Sequence, residues 1–458
     1  MVSSFRDPSG RLTVADDGVF RQVFQSGLVN LNAFAHSVTV ERHARANQIV
    51  GTEVVSASKD LTVLEHERIP FTSYPHEWPP HMLHAAADLT LTLAEGLLDE
   101  DLGLKDATPH NVLFRGSMPV FVDVLSFEPR SASDPIWLAS AQFVRTFLLP
   151  LMLNRELGMP LAQIFLSRRD GVDAVEAAGF LSLFKRWLPP FLGLVTLPRV
   201  LSRFTKESAY KPHGAMNSET ARYIVSRHLA SLRKQLNRFE PKTTKSNWSS
   251  YADNCPSYTP EQRATKNVFV GNNLRTISPR TVLDVGANSG EHSFLAAASG
   301  ASVVAIDSDE AVCGRLFAEA RKQNADILPL VIDFARPSPA VGWRCAEQRA
   351  FLDRAAGAFD CVMMLAVLHH LLVTEQVPLP EVLAVASELT RRWLLIEYVD
   401  PSDPMFQKLT RGRAALHESL TREVFLQEAA VHFDVVDSCE VPGSGRCLYL
   451  MELRRPAA

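Results

Sequence analysis

TVLDVGANSG, residues 281–290, joins an apolar run to a turn bracketed by glycines. Val282, Leu283 and Val285 read as a buried strand, and Gly286 and Gly290 permit a sharp turn. Glu291 to Ala298 can then open a helix whose first amides face a ligand. A dinucleotide fingerprint reads G-x-G-x-x-G. Here Ala287, Asn288 and Ser289 separate the two glycines, so a pyrophosphate lacks its usual close approach to the backbone. The stretch predicts a parallel sheet that holds a nucleoside rather than a dinucleotide.

Each following apolar run ends on a carboxylate, where a doubly wound sheet places its ligand. Residues 302–309, SVVAIDSD, read as a second strand whose Asp307 can accept from two ribose hydroxyls. Residues 327–334, ILPLVIDF, read as a third, with Asp333 placed to accept from an adenine amino group and Phe334 to pack on the base. Residues 359–372, FDCVMMLAVLHHLL, begin as a fourth strand and leave through a loop, and 393–400, WLLIEYVD, form a fifth. Between the second and third strands, residues 311–322 have a helical period, with Val312, Leu316 and Phe317 on one face. Residues 433–439 and 446–453 flank the turn Pro442-Gly443-Ser444-Gly445 closely enough for an antiparallel pair.

With those motifs in hand, residues 281–453 resemble a class I S-adenosylmethionine-dependent methyltransferase, an α/β fold with a Rossmann-like doubly wound seven-stranded sheet. The resemblance implies S-adenosylmethionine as cofactor. It implies contacts to that cofactor from Asp284, Gly286, Ala287, Asn288 and Gly290 at the turn, Asp307 and Ser308 at the second strand, Asp333 and Phe334 at the third, and Leu365 at the fourth. Asn288 stands where Cys or Gly is commoner. More narrowly, SNWSSY at 246–251, KNVFV at 266–270, RPSPAVGW at 336–343 and PGSGRCLYL at 442–450 are similar to methyltransferases of a nodulation-protein-like group.

Methyl transfer is an in-line displacement at an already activated sulfonium methyl, so positioning does most of the work. A base for the nucleophile's proton is needed by a hydroxyl or protonated amine more than by a thiolate or enolate. His369 and His370 follow the fourth strand and titrate near neutrality when unperturbed, which makes them candidate bases; hydrogen-bonding the loop is the other role open to them. Glu397 and Tyr398 end the fifth strand on the same rim, Glu397 as a base or substrate anchor and Tyr398 as a substrate contact. Residues 335–358 form a long connection whose Trp343, Arg344, Arg349 and Arg354 suit an anionic or planar group or form a solvated helix face.

At 458 residues and 50.7 kDa the chain exceeds the roughly 250 to 300 residues that one core supports, so two domains are expected. We place them at 1–238 and 263–458, joined by a linker or lid over 239–262 that carries Trp248, Tyr251 and Tyr258. A net charge of −4 and a pI near 6.4 argue against nonspecific nucleic-acid binding, DNA included. The acceptor expected is a small molecule of specialised metabolism or a carrier-bound one, with protein or RNA as alternatives. Six scattered cysteines without a C-x-x-C pair fit a reducing cytoplasm, and MVSSFRDPSG carries no apolar leader. Leu181 to Leu201 is the most lipid-like stretch. Lys185, Arg186, Pro189-Pro190 and Arg199 interrupt it, so we read core helices there in preference to a membrane-surface segment, and no membrane span.

The first half carries a second constellation, KDATPHNVLFRGSMPVFVDVLSFE at 105–128. Asp106, Asn111, a hairpin through Arg115-Gly116-Ser117, and Asp123 resemble the catalytic loop and metal-binding acid of an α+β kinase-like domain. That resemblance implies magnesium on Asn111 and Asp123 and a nucleotide beside them. The pattern departs from it in three ways: Leu104-Lys105 replaces the usual His, no glycine-rich phosphate loop precedes it, and no V-A-I-K-like strand supplies a lysine. A degenerate lobe whose acids cap turns is the alternative.

Overall fold

The computed structural model describes all residues except 1, 4–5, 16–17, 59–60, 203–215, 243–257, 411, 413 and 455–458. Trp248, Tyr251 and the SNWSSY run therefore lie outside the described residues. The chain divides into two compact units, Met1–Lys242 with Gly342–Glu347, and Thr243–Val341 with Gln348–Ala458.

The first unit is α+β. Five strands, β1 Val2–Ser3, β2 Gly10–Val14, β3 Val19–Phe24, β4 Thr52–Ala57 and β5 Leu61–His66, form an antiparallel sheet in the order β1-β2-β3-β5-β4. Helices α1 Leu28–His36 and α2 Val38–Arg45 connect β3 to β4. The apolar alternation of β3 and β5 puts Val23 and Leu64 into a core shared with Val50, Val120, Val124 and Leu125. Proline sits in the first turn of the next helix, α3 Pro80–Leu98, where its missing amide costs nothing, and one face after another of this helix is buried.

Past α3, β6 Leu102–Leu104 pairs with β9 Phe127–Pro129 around the hairpin of β7 Val112–Arg115 and β8 Met118–Phe121. Gly116 turns that hairpin at a φ of 53°. The long helix α4 Ser218–Arg238 packs on α3, where Arg233 donates to Glu95 at 2.8 Å and to Thr92 at 3.0 Å.

The core helices expected over Leu181 to Leu201 form in part. After a short turn at Lys185–Trp187 and the break at Pro189-Pro190, the chain is helical without interruption through Leu192–Thr196 and Leu197–Ser202. Phe191, Leu194 and Val195 are buried, whereas Leu183, Phe184 and Trp187 are 74, 76 and 67% exposed. No helix among the described residues is long and apolar enough to cross a membrane.

The second unit is built on seven strands: β10 Thr281–Val285, β11 Ser302–Asp307, β12 Ile327–Val331, β13 Phe359–Met364, β14 Thr390–Val399, β15 Phe433–Glu440 and β16 Arg446–Leu453. Their order is β12-β11-β10-β13-β14-β16-β15, parallel through β14, with β16 inserted antiparallel between β14 and β15. The expected seven-stranded doubly wound sheet is thus present. Chain order reverses between β10 and β13, and the crevice beyond their carboxyl ends is where such sheets take ligands. The parallel strands are buried on both faces and read as continuous apolar runs, with Val282, Val303, Ala305, Ile327, Cys361 and Met363 in one core.

Helix α5 Pro260–Ile277 precedes the sheet, opened by a capping box between Thr259 and Gln262. Helix α6 Glu291–Ala298 follows the glycine turn, and α7 Glu310–Gln323 follows β11 with Asp309 accepting from the Ala311 and Val312 amides. Two local readings change. The third strand ends at Val331, two residues before Asp333, and the chain leaving β13 forms a short helix, α8 Leu368–Val373, rather than a loop.

Gly290 caps α6 at a φ of 80°, and a Cβ there would lie 2.3 Å from Leu316 Cδ1 in the core. Both strain and overlap oppose a side chain. Gly290→Ala is expected to cost about 1–3 kcal/mol, read as a lower melting temperature; a wild-type melt would contradict this packing.

Candidate functional site

The glycine turn and the end of β11 are tied together by backbone hydrogen bonds. Gly286 and Ala287 amides both donate to the Ile306 carbonyl, at 2.9 and 3.0 Å. The Asn288 amide donates to Asp307 Oδ2 at 3.0 Å, and the Asp309 amide to Oδ1 at 2.9 Å. Burial pushes the Asp307 carboxyl above its ordinary value, against those amides, which favour its charge. The Ser308 amide adds to this hold, and a carboxylate with about four lone-pair sites can still accept from a ligand hydroxyl. Gly286, at a φ of 72°, leaves 3.2 Å between its absent Cβ and Val367, so a side chain there would fill the gap between the ends of β10 and β13.

Asp284 lies under the turn, 3% exposed, where Ser293 of α6 donates to it at 2.5 Å and burial raises its pKa to about 6. Asp333 pairs with Arg336 at 2.7 Å and accepts from the Ala335 amide at 3.0 Å, and Arg336 also pairs with Glu375 at 2.6 Å. Part of the Asp333 carboxylate expected for adenine is therefore engaged locally. Ser308 is exposed, Phe334 is half-buried, and Leu365 belongs to the core beside the turn.

On the other side of the crevice, Ala366 takes a φ of 56° and α8 begins two residues later. His369 and His370 are adjacent on this helix with ring centroids 4.4 Å apart. His369 is 4% exposed, burial lowers its pKa to about 3, and its Nδ1 is buried with no hydrogen-bond partner among the described residues. The imidazole is therefore neutral at physiological pH. Burial also lowers the pKa of His370.

Behind the histidines lies a buried charge cluster that the sequence did not disclose. Glu397 on β14 is fully buried; Lys266 of α5 donates to its Oε2 at 2.7 Å, Tyr258 donates to Oε1, and Arg446 of β16 approaches Oε1 at 3.5 Å. Arg446 also holds Asp403 at 2.9 and 3.2 Å. The Tyr258 ring takes both cations, with Lys266 Nζ 4.8 Å and Arg446 Cζ 4.5 Å from its centroid. Burial alone would raise the Glu397 pKa, but Lys266 and Arg446 outweigh it and hold the carboxyl at about 2. The reading of Glu397 as a base is corrected on that ground: it is a weak proton acceptor at neutral pH, and its oxygens are already taken.

Other expected contacts are not brought here. Tyr398 donates its hydroxyl to the Leu420 carbonyl at 2.8 Å and packs on Phe425, which fixes a loop. Trp343, 64% exposed, and Arg344 lie in Gly342–Glu347, which clusters with the first unit. In that first unit, Asp123 Oδ1 accepts from Arg21 of β3 at 2.9 Å and from the Leu125 amide at 3.4 Å. Ser126 links to the Asp106 backbone, Gln142 reaches the Asp106 carboxylate at 3.4 Å, and Asn111 Nδ2 is buried without a partner among the described residues. An arginine thus takes up charge on the carboxylate read as a metal ligand. Among the described residues, no group of three or more His, Cys, Asp or Glu side chains could hold a metal ion.

A seven-stranded sheet with a reversed last pair, a glycine turn at its switch point and a carboxylate ending the second strand define a class I S-adenosylmethionine-dependent methyltransferase domain. The C-terminal unit is such a domain, and its cofactor is S-adenosylmethionine. Residues 223–438 match the family described as "Methyltransferase domain", a match that starts inside α4 of the first unit. Over 462 residues the chain is 28% identical to "Nodulation protein NoeA" of Rhizobium meliloti (strain 1021), covering 99% of this chain and 96% of that protein. Among solved structures, N-methyltransferase NodS from Bradyrhizobium japonicum WM9 aligns at 15% identity over 44% of this chain and 99% of its own, with a TM-score of 0.32. The bifunctional kinase-methyltransferase WbdD aligns at 18% identity over 44% of this chain and 41% of its own, with a TM-score of 0.30.

Glu397 also sets an acid dependence. Its pKa in the folded chain lies below the ordinary 4.5, so the stability it contributes is complete above pH 4.5 and is lost as the pH falls towards 2. Glu397→Gln leaves Lys266 and Arg446 without their shared carboxylate and is expected to cost about 3–5 kcal/mol. Urea unfolding across that pH range should show the loss and a flatter acid limb; a variant as stable and as acid-sensitive as wild type would contradict the pairing.

Proposed function

We propose that the chain transfers the methyl group of S-adenosylmethionine to a small or carrier-bound acceptor seated between α8 and the Glu397 cluster. The observation that supports it most is Asp307, a carboxylate ending β11 beside the glycine turn and held by backbone amides that favour its charge. When bound, S-adenosylmethionine supplies an electrophilic methyl on a sulfonium. Asp307 holds the ribose hydroxyls, and the Gly286–Gly290 turn, with Ala287 and Asn288, lies along the methionine part. Asp333, Phe334, Ser308 and Leu365 border the adenine side.

On the acceptor side, the cluster offers two cations and two carboxylates, Lys266 and Arg446 against Glu397 and Asp403, so it is close to neutral as a whole. Buried and bonded within itself, it backs the acceptor side of the crevice and fixes the strands there without drawing a strong counter-charge. His369 is deprotonated at neutral pH and presents a buried Nδ1 that can take the acceptor's proton as the new bond to carbon forms. Its low pKa makes it a modest base, so alignment of the acceptor carries more of the rate than proton removal does. His370 flanks it on the same helix.

Calorimetry with S-adenosylmethionine tests the cofactor assignment. Asp307→Ala is expected to weaken binding about tenfold to a hundredfold while leaving the circular dichroism melt intact. Unchanged affinity would sink the assignment.

For the first unit we propose a kinase-like module that recognises substrate or nucleotide without transferring phosphate. The support is the antiparallel sheet, the long α3, and Asp123 held by Arg21 after the loop that carries Asp106 and Asn111. Asp123 gives one oxygen to Arg21 and the Leu125 amide, where a magnesium ligand keeps its lone pairs open. The full chain with ATP and magnesium should release no phosphate. Turnover abolished by Asp123→Ala would overturn the proposal.

A further inference from the structure

Among the described residues of the first unit, 177–202 carry a run of exposed apolar side chains. The inner face of this segment, Phe191, Leu194 and Val195 with Leu181, Ala177 and Ala178, is buried and accounts for its folding. The outer face is a surplus: Leu183, Phe184, Trp187, Leu188, Leu197 and Val200 are between 41 and 76% exposed. A stretch this apolar on both faces normally has something on each side of it.

The charges carried by the segment itself are of one sign. Residues 177–202 contain no Asp or Glu, only Lys185, Arg186 and Arg199, in a chain whose net charge is −4. Lys185 pairs with Glu156 at 3.2 Å. Arg186 donates Nε to the Leu181 carbonyl at 3.0 Å, and Arg238 of α4 donates to the Pro189 carbonyl at 2.9 Å. Carbonyls are neutral acceptors, so both guanidinium charges remain at the edge of the apolar face.

We infer that residues 180–200 dock the chain on an anionic lipid bilayer. Trp187 and Phe184 suit the headgroup boundary, where aromatic rings are favoured, and guanidinium groups pair with phosphate oxygens. Association is peripheral, since no helix among the described residues can cross a bilayer. A second copy of this chain fits less well, because a two-fold contact through the face sets guanidinium groups against guanidinium groups.

Flotation of the full chain with vesicles tests the inference. The chain should float with equal parts phosphatidylcholine and phosphatidylglycerol, float poorly with phosphatidylcholine alone, and lose binding as salt rises above about 0.1 M. Phe184→Ser combined with Trp187→Ser should reduce anionic-vesicle binding about tenfold or more with the melt and S-adenosylmethionine affinity unchanged. Salt-insensitive binding, binding untouched by the paired substitution, or no binding would overturn it. So would a dimer, seen by light scattering and dispersed by the same substitutions, in a chain that ignores vesicles.

Discussion

The second unit turns on one buried carboxylate. Glu397 sits on β14, between a parallel neighbour and an antiparallel one, with no exposed surface. A charge so placed is tolerated only with every oxygen engaged. Meeting that demand draws together Lys266 and Tyr258 from the start of the unit and Arg446 from its last strand, which itself recruits Asp403. The cluster therefore fastens the helix that precedes the sheet to the strands that close it. It does so at the carboxyl ends of the strands, beside the crevice.

The crevice is organised by a second device of a different kind. Backbone amides of the glycine turn and of the β11 exit aim Asp307, while Gly286 leaves open the gap opposite Val367. One side of the switch point thus presents oriented hydrogen-bond acceptors, and the other presents neutral imidazoles over a charge cluster whose cations and carboxylates offset. In the proposed reaction that division separates the donor from the acceptor. It also assigns most of the rate to alignment, because the ionised Glu397 and the low-pKa His369 are both weak bases.

Much of this was legible in the sequence because strands β10 to β14 are apolar runs, with Asp307 ending β11 and Asp333 and Asp400 following β12 and β14 within two residues, and because Gly286 and Gly290 punctuate the turn after β10. Helix α6 matches its expected limits, as its glycine cap and apolar period required. The cluster was hidden for a physical reason. Lys266 falls inside a helical run and Arg446 opens a strand, and only tertiary folding sets both against Glu397; a lone lysine in a helix reads as a solvated one. Arg21 was hidden likewise, as one basic residue in an alternating strand, until β3 carried it to Asp123. Over Leu181 to Leu201 the helix past Pro189-Pro190 was legible, but its burial only in part: apolar composition predicts burial on every side, whereas Phe191, Leu194 and Val195 are buried and Leu197 and Val200 are not.

The most direct test of the central claim is a crystal structure of the full chain with S-adenosylhomocysteine. Both ribose hydroxyls should lie on the Asp307 carboxylate, the amino-acid end along Gly286–Gly290, and the sulfur towards α8 and the Glu397 cluster. A ligand bound away from Asp307, or with its sulfur turned from His369, would contradict it.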